Sequence, residues 1–180
     1  MEQSTGKSSD AELTETFLKD RSERNFLAIY RRYSVDMYRL ANHFVGYSEI
    51  LAKDALQETW VTVVQKIELF EGRSSFKTWL TGILINKCRE LHKEEKRNDH
   101  DELSNAMQNS VNHTVAIKMD LRSAIGQLSN GYRNVLVLHD AEGYTHTEIA
   151  ALLGINEGTS KSQLFHARNI VRKYLNDAHE

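Results

Sequence analysis

The chain has 180 residues, of which 40% are hydrophobic and 27% are charged, a composition typical of a globular protein with one ordinary domain or two small ones. The net charge of −2 excludes a uniformly basic nucleic-acid-binding protein, and the apolar runs are too short to span a bilayer. Because the N-terminus is polar and the single cysteine cannot form an internal disulfide, we expect a cytoplasmic protein without membrane insertion.

The absence of proline and the spacing of apolar residues by three and four predict an all-α fold. We expect two small helical domains, at 10–95 and 114–177. The polar, asparagine-containing stretch between them, at 96–113, has no sustained apolar stripe. It is therefore predicted to be a flexible linker.

Three helices are predicted at the start of the first domain. The first covers Asp10 to Lys19, and the second carries an apolar stripe from Phe26 to Phe44. The third has five apolar residues that are expected to face the core: Leu56, Trp60, Val63, Val64 and Ile67. On its opposite face lies an exposed row of mainly polar and acidic residues: Asp54, Gln57, Glu58 and Val61. Such a row suits basic residues on a partner helix, although spacing alone favours a merely solvated face.

A loop from Leu69 to Ser75 is predicted around Gly72, and Ser75 is expected to N-cap the fourth helix. That helix is expected to bury its apolar residues, namely Phe76, Leu80, Ile83, Leu84, Cys88 and Leu91. Its polar residues are expected to lie off the core, namely Lys77, Thr78, Thr81, Asn86, Arg89 and Lys93. Trp79 is interpreted as a core residue, with a base-stacking role as the alternative.

The second domain is predicted to contain helices at 115–128 and 130–141, followed by a helix pair that divides at Gly154. Thr145 and Glu148 form a T-x-x-E capping box, Ala150 is small where the helices cross, and Gly154 lies where the chain must adopt a positive φ angle. This layout indicates a helix-turn-helix, whose second helix enters the major groove of DNA. A plain αα-hairpin with a glycine turn is the alternative.

The second helix of this motif is locally basic, with four Lys or Arg residues and no acid from Gly158 to Asn176. Residues in its first turns are predicted to face outward and to reach base edges: Thr159, Lys161, Ser162 and Gln163. Ser160 occupies a position where an apolar residue usually packs. The inner face is therefore expected to depend on later residues: Leu164, Ala167, Val171 and Tyr174.

Three sequence segments together resemble one family, the extracytoplasmic-function RNA polymerase sigma factors. EGYTHTEIAALLGINEGTSKSQLFHARNIVRKYL resembles their region 4, and DALQETWVTVVQKI with FEGRSSFKTWLTGILINKCRE resembles their region 2. The resemblance covers about 26–175 and implies a promoter-recognition subunit with no cofactor and no metal. The partners it implies are core RNA polymerase and promoter DNA, and family members commonly have an anti-sigma factor as well.

The resemblance also implies roles for particular residues. Core polymerase would bind Asp54, Gln57 and Glu58. The minus-ten element would be recognised and opened by Phe70, Arg73, Lys77, Thr78, Asn86 and Arg89. The minus-thirty-five element would be contacted by Thr159, Lys161, Ser162, Gln163, His166 and Arg168, with Arg168, Arg172 and Lys173 expected to touch phosphate or the polymerase.

Several positions depart from the family pattern, and TGILIN lacks the arginine that the family often has before its Ile-Ala. Gln163 and His166 stand where basic residues are frequent, so weaker phosphate contact is expected. Ser129 follows the leucine after which the family usually has a proline, and it is expected to N-cap the next helix instead.

Three other classes of function are alternatives. A pure protein-interaction module would leave the helix-turn-helix without a role. A stand-alone helix-turn-helix regulator would bind DNA without polymerase, usually as a dimer on a palindrome. An enzyme is disfavoured, because the eight histidines show no ligand pairing such as H-E-x-x-H and the chain has no P-loop or G-x-S-x-G motif. We therefore predict a sigma factor that is not an enzyme.

Overall fold

The computed structural model describes residues 9–98, 121 and 123–177, and every regular element in these ranges is helical. The chain divides into two compact units, Met1–Leu103 and Ser104–Glu180. The predicted all-α fold is thus confirmed. The predicted linker at 96–113 lies outside the described residues, except for its first three positions, which continue the last helix of the first unit. No helix within the described ranges is both long and apolar enough to cross a membrane.

The first unit contains four α-helices: α1 Asp10–Lys19, α2 Glu23–Phe44, α3 Glu49–Lys66 and α4 Phe76–Asn98. A 3₁₀ turn, Ile67–Leu69, follows α3. Serine hydroxyls at the starts of α1, α3 and α4 accept hydrogen bonds from backbone N–H groups that have no partner within the helix: Ser9, Ser48 and Ser75. The predicted bounds of α1 and the predicted N-cap at Ser75 are confirmed.

The core of the first unit lies between α2, α3 and α4. Each helix contributes fully buried apolar side chains: Ile29, Met37 and Leu40 from α2, Val63 from α3, and Leu80, Leu84 and Ile85 from α4. An aromatic group extends this core, because the Trp60 ring lies 5.7 Å from Phe26 and 5.2 Å from Tyr30 between centroids. Each buried side chain of this size contributes ~1.5–3 kcal/mol, so the core fixes how the outer faces of α3 and α4 are placed.

Several expectations about burial are wrong. Three apolar residues that were expected to be buried are only half-buried: Leu56, Ile83 and Leu91. Val64 is 53% exposed, because the buried stripe of α3 is narrow and Val64 points to one side of Val63. Thr78 and Thr81 are buried, because α4 packs against α1, α2 and α3 and therefore buries a wider arc than one apolar stripe. The hydroxyl groups of Thr78 and Ser75 form a hydrogen bond of 2.8 Å, which satisfies the buried polar group.

The second unit has three described α-helices: α5 Asn130–Leu136, α6 His146–Leu153 and α7 Glu157–Asp177. A short helical stretch at 123–126 precedes α5, and α5 continues as a π-helical turn, Val137–Ala141. The predicted helical segment at 130–141 is therefore confirmed. The core of this unit consists mainly of side chains from these elements: Val135, Leu138, Ile149, Leu164 and Ala167.

Arg133 fastens the start of α5 to the helical stretch before it. Its Nε donates to the Ile125 carbonyl at 3.2 Å, and its Nη2 donates to the carbonyls of Gly126 and Leu128 at 2.9 and 2.8 Å. The carbonyls at a helix C-terminus otherwise lack partners. Ser129 occupies the N-cap position of α5, but its side chain makes no capping hydrogen bond, so the capping role predicted for it is wrong.

Candidate functional site

The acidic row of α3 lies on an exposed face, as predicted, and forms one wall of a groove. The groove measures about 440 Å³ and is lined by two helices: Asp54, Gln57 and Glu58 from α3, and Lys87, Glu90, Leu91 and Glu94 from α4. Four carboxylates and one ammonium among these residues give a formal charge of −3. Lys87 Nζ lies 3.0 Å from Glu90 and 4.0 Å from Glu58, so this single cation offsets only part of the negative charge.

Exposed apolar side chains continue the same face of α3. Ile50 is 75% exposed and Val61 is 42% exposed, and helical steps of four and three align both with Asp54 and Gln57. One exposed valine needs no explanation, but two exposed apolar side chains bordered by polar residues on one face suit a surface that a protein partner covers. The sequence pattern did not single out Ile50, because periodicity assigns such a position to solvent.

Aromatic packing organises the loop before α4. The Phe70 ring lies 5.6 Å from Phe76 and 5.4 Å from Trp79 between centroids. Phe70 and Trp79 are both half-buried, so Trp79, which was interpreted as a core residue, keeps part of its ring exposed. Arg73 lies on the same loop, is exposed and pairs with Glu71. The loop thus combines partly accessible aromatic rings with a cation, which suits single-stranded nucleic acid.

The exposed face of α4 continues from this aromatic cluster. Trp79, Asn86 and Lys93 follow one another at intervals of seven residues, or about two turns, so they lie on one side of the helix. Arg89 lies within the same strip, three residues after Asn86. Asn86, Arg89 and Lys93 are exposed. The strip therefore offers an aromatic ring, an amide with both donor and acceptor, and two cations to one ligand.

Two residues of the predicted minus-ten set lie away from this strip. Lys77 is half-buried and precedes Asn86 by nine residues, which places it about two and a half turns away on the opposite side of α4. Thr78 is 8% exposed, and its hydroxyl is bonded to Ser75. The structure thus brings together only part of the predicted set.

The helix-turn-helix predicted in the second unit is confirmed. Thr145 Oγ1 accepts from the Glu148 N–H at 3.2 Å, and Glu148 Oε2 accepts from the Thr145 N–H at 3.0 Å, which completes the capping box at the start of α6. Gly154 ends α6 in the left-handed conformation, with φ 69° and ψ 39°. A side chain is disfavoured there, and the reversal allows α7, the recognition helix, to start three residues later.

The recognition helix presents side chains on four sides. Its inner side is buried and consists of Ser160, Leu164 and Ala167. The opposite, outward side is reached at helical steps of three and four and consists of Ser162, Phe165 and Asn169. One flank carries Thr159, Gln163 and His166. The other flank carries Lys161, Arg168 and Arg172. Tyr174 is 36% exposed, so the expectation that it belongs to the inner side is wrong.

Gln163 does not point outward as predicted. It is half-buried and lies against the start of α5, where a Cβ on Gly131 would be 3.3 Å from Gln163 Nε2. On the same flank the His166 ring stacks on Tyr132, with 5.9 Å between centroids. Periodicity within α7 cannot reveal this neighbouring helix. Phe165 instead occupies the outward side and is 63% exposed, a position that only its three-residue step from Ser162 would have indicated.

Arg168 is held by Asp140. Arg168 Nη2 donates to Asp140 Oδ1 at 2.5 Å and Arg168 Nε donates to Oδ2 at 3.0 Å, a two-pronged geometry. The hydrogen bonds from Arg168 are the main cause that lowers the pKa of Asp140, and the same contact raises the pKa of Arg168. Arg172, one turn further along, is exposed and bonds only weakly, at 3.4 Å, to Asn169. The two arginines therefore differ in how readily they can contact phosphate.

Comparison with known proteins identifies the family and the regions in which both surfaces lie. The chain matches the family models Sigma-70 region 2 over residues 29–98 and Sigma-70, region 4 over residues 118–170. It is 30% identical to the ECF RNA polymerase sigma factor SigM of Bacillus subtilis over 154 residues, which cover 82% of this chain and 93% of SigM. The chain belongs to the extracytoplasmic-function sigma factors. The α3–α4 groove lies in its region 2 and the helix-turn-helix in its region 4.

Other relatives of this sigma factor agree. The ECF RNA polymerase sigma factor SigE of Mycolicibacterium smegmatis is 28% identical over 156 residues, and the match covers 82% of this chain but only 60% of SigE. The chain thus spans about three fifths of the length of that relative. Among solved structures, the sigma factor RpoE in complex with the anti-sigma factor NepR from Bartonella quintana has a TM-score of 0.69 and 25% identity. That match covers 85% of this chain and 98% of the other. The predicted sigma factor is confirmed, and a stand-alone regulator is not favoured because it leaves region 2 unexplained.

Proposed function

We propose that this sigma factor binds core RNA polymerase through the α3–α4 groove and selects promoters through the exposed strip of α4 and the recognition helix α7. One observation carries the proposal: the two sigma-70 region matches coincide with an exposed acidic groove and with a helix-turn-helix. We place this activity in the cytoplasm, where the polymerase acts. Transcription from defined promoters by core polymerase with and without the chain tests it.

The groove fits a polymerase helix that carries basic residues beside apolar ones. Its formal charge is −3, and exposed apolar side chains border it on α3. Reversing the charge of Asp54 and Glu58 would oppose the basic residues of such a partner, and like-charge contacts across an interface cost several kcal/mol. The Asp54→Lys, Glu58→Lys double variant is therefore expected to bind core polymerase at least about 30-fold more weakly.

A matched control separates this interface from a general charge effect. Glu15 and Glu23 are exposed acids outside the groove, and changing both to lysine produces the same change in net charge. This control variant is expected to bind core polymerase like the wild type, and circular dichroism should show equal helicity for both variants. Equal core affinity of the two double variants would refute the assignment of the groove.

The exposed strip of α4 suits the single DNA strand that becomes accessible when a promoter opens. Capture of an unstacked base requires an aromatic or amide group that can hold it, with cations nearby for the phosphates. Asn86 supplies the amide and Arg89 supplies a cation. Trp79 and Phe70 supply partly accessible aromatic rings at one end of the strip. Asn86→Ala is expected to slow promoter opening, measured by permanganate reactivity of unpaired thymines, while core affinity stays unchanged. Normal promoter opening by this variant would assign minus-ten recognition to the loop that carries Phe70 instead.

The outward side of α7 fits the major groove of the minus-thirty-five element. Ser162 can bond to base edges, and Phe165 can contact a thymine methyl group. Lys161 and Arg172 lie on one flank, where phosphates border the groove. Gln163, half-buried against α5, becomes a supporting residue instead of a base reader.

An anti-sigma factor is a further partner that we propose. The similar RpoE structure contains the anti-sigma factor NepR. A protein of that kind would compete with core polymerase for the sigma factor. Affinity capture of the chain from its native cells, followed by displacement with purified core polymerase, tests this, and capture of core polymerase alone would argue against it.

A further inference from the structure

Two histidines meet at the junction between the π turn and α6. The rings of His139 and His146 are 4.7 Å apart between centroids and inclined by 31°. Each is connected to the recognition helix. His146 Nδ1 lies 2.9 Å from Ser160 Oγ, and His139 Nδ1 lies 2.8 Å from Asp140 Oδ1, the carboxylate that holds Arg168.

The contact with His146 compensates for an unusual residue in α7. Ser160 is fully buried at a position where an apolar side chain usually packs, and a buried hydroxyl without a hydrogen bond is costly. His146 provides that hydrogen bond across the helix-turn-helix. On the other side of the pair, the Asp140 carboxylate is ionised and can only accept, so His139 must donate from Nδ1.

We propose that His139 and His146 position the recognition helix, and that protonation of His146 at acidic pH weakens recognition of the minus-thirty-five element. The inference rests on the proposed contact between α7 and that element. It adds a positioning role for two residues that face away from the DNA-reading side, and it makes promoter selection depend on pH.

The charges around the pair determine the direction of the effect. Two cations of α7, Lys161 and Arg168, face the histidine pair. Two anions also face it: Glu157 from α7 and Asp140 from the π turn. Burial, followed by the nearby His139 and Lys161, lowers the pKa of His146, whereas Glu157 opposes the shift. The lowered pKa means that the unfolded state binds the proton more tightly than the folded state. The folded arrangement around His146 therefore keeps its full stability above the ordinary histidine pKa of about 6.5 and loses stability as the pH falls below it.

A general electrostatic effect would act in the opposite direction. Protonated histidines add positive charge to region 4, and added cations strengthen non-specific binding to phosphate. Loss of positioning instead weakens specific contacts only. The informative quantity is therefore the ratio of affinities for a promoter with its selected minus-thirty-five element and for the same promoter with that element scrambled.

The experiment measures this ratio with holoenzyme at constant ionic strength, at about pH 7.5 and at about pH 5, well below the ordinary histidine pKa of about 6.5 because the pKa of His146 is lowered. The His139→Asn, His146→Asn double variant keeps amide groups that can form the same hydrogen bonds but cannot titrate. His92→Asn, which removes a histidine from the first unit, is the control for other pH effects. Ser160→Val tests the link from the α7 side, because an apolar contact replaces the hydrogen bond.

For wild type and His92→Asn, discrimination is expected to fall about five- to tenfold at the lower pH, because a positive charge on His146 beside Lys161 and Arg168 destabilises the contact that holds α7. The double asparagine variant and Ser160→Val are expected to discriminate almost equally at both pH values. Discrimination by the wild type that does not change with pH would overturn the proposal. The proposal would also be overturned if both of these variants lost discrimination at the lower pH as the wild type does. If the wild type fails to discriminate even at the higher pH, the proposed minus-thirty-five reading itself is wrong. Thermal melting confirms that each variant is folded.

Discussion

Arg168 and Arg172 lie one turn apart on the same flank of the recognition helix, yet we expect them to affect DNA binding differently. Asp140 holds the Arg168 guanidinium at 2.5 and 3.0 Å, and the side chains of the pair are 48% and 35% exposed. Such a partly exposed ion pair is worth ~1 kcal/mol, so Arg168→Ala should weaken promoter binding about fivefold through loss of helix positioning.

Arg172 has the character of a phosphate contact, because its guanidinium is exposed and makes only one weak hydrogen bond to the residues that the structure describes. Each phosphate contact contributes ~0.9 to the slope of log affinity against log salt. Arg172→Ala should lower that slope by about one, which reduces the affinity lost between about 50 and about 200 mM salt roughly 3.5-fold. Arg168→Ala should leave the slope nearly unchanged.

Salt titrations of holoenzyme on a single promoter distinguish the two arginines, and Asp140→Ala provides the decisive third variant. If the pair positions the helix, Asp140→Ala weakens binding by about as much as Arg168→Ala, and the double variant is little worse than either, since the two residues act as one unit. Stronger binding by Asp140→Ala would mean that Arg168 had been released to contact DNA. That result, or an equal fall in slope for both arginine variants, would refute the reasoning.

Three further predictions concern single residues. Phe165→Ala should change the base preferred at one minus-thirty-five position by ~1–3 kcal/mol in a promoter panel, with little effect on thermal stability because the ring is 63% exposed; an unchanged preference would contradict it. Arg133→Met removes three hydrogen bonds to carbonyls and should lower the unfolding free energy of the second unit by ~2–4 kcal/mol in urea titrations. A loss below about 0.5 kcal/mol would contradict the stabilising role of these hydrogen bonds. Burial raises the pKa of Cys88 to about 12, so iodoacetamide at neutral pH should label this thiol only after unfolding. Mass spectrometry measures the labelling, and rapid labelling of the native protein would contradict the burial of Cys88.

Local signals in the sequence were sufficient for much of the fold. The bounds of α1, the capping box at Thr145 and the left-handed Gly154 depend on residues only a few positions apart, and all three are as predicted. Helical periodicity also placed Asp54 and Glu58 on an exposed face. Such features follow from backbone hydrogen bonding within one or two turns, which a single sequence encodes directly.

The failures arise where distant elements meet. Thr81 is buried because three helices surround α4, and Gln163 is half-buried because α5 begins beside it. Periodicity gives the direction of a side chain but not the width of the surface packed against it. The contact of Arg168 with Asp140 joins residues 28 positions apart, so spacing within α7 could not distinguish Arg168 from Arg172.

The most direct test of the account is run-off transcription by purified core polymerase on a template library with a randomised upstream region, with and without the chain. We predict initiation only when the chain is present, at templates enriched for two elements separated by a fixed spacer, and loss of this activity in the Asp54→Lys, Glu58→Lys variant. Enrichment of a single element that the chain binds equally well without polymerase would contradict the account and would indicate a stand-alone regulator instead.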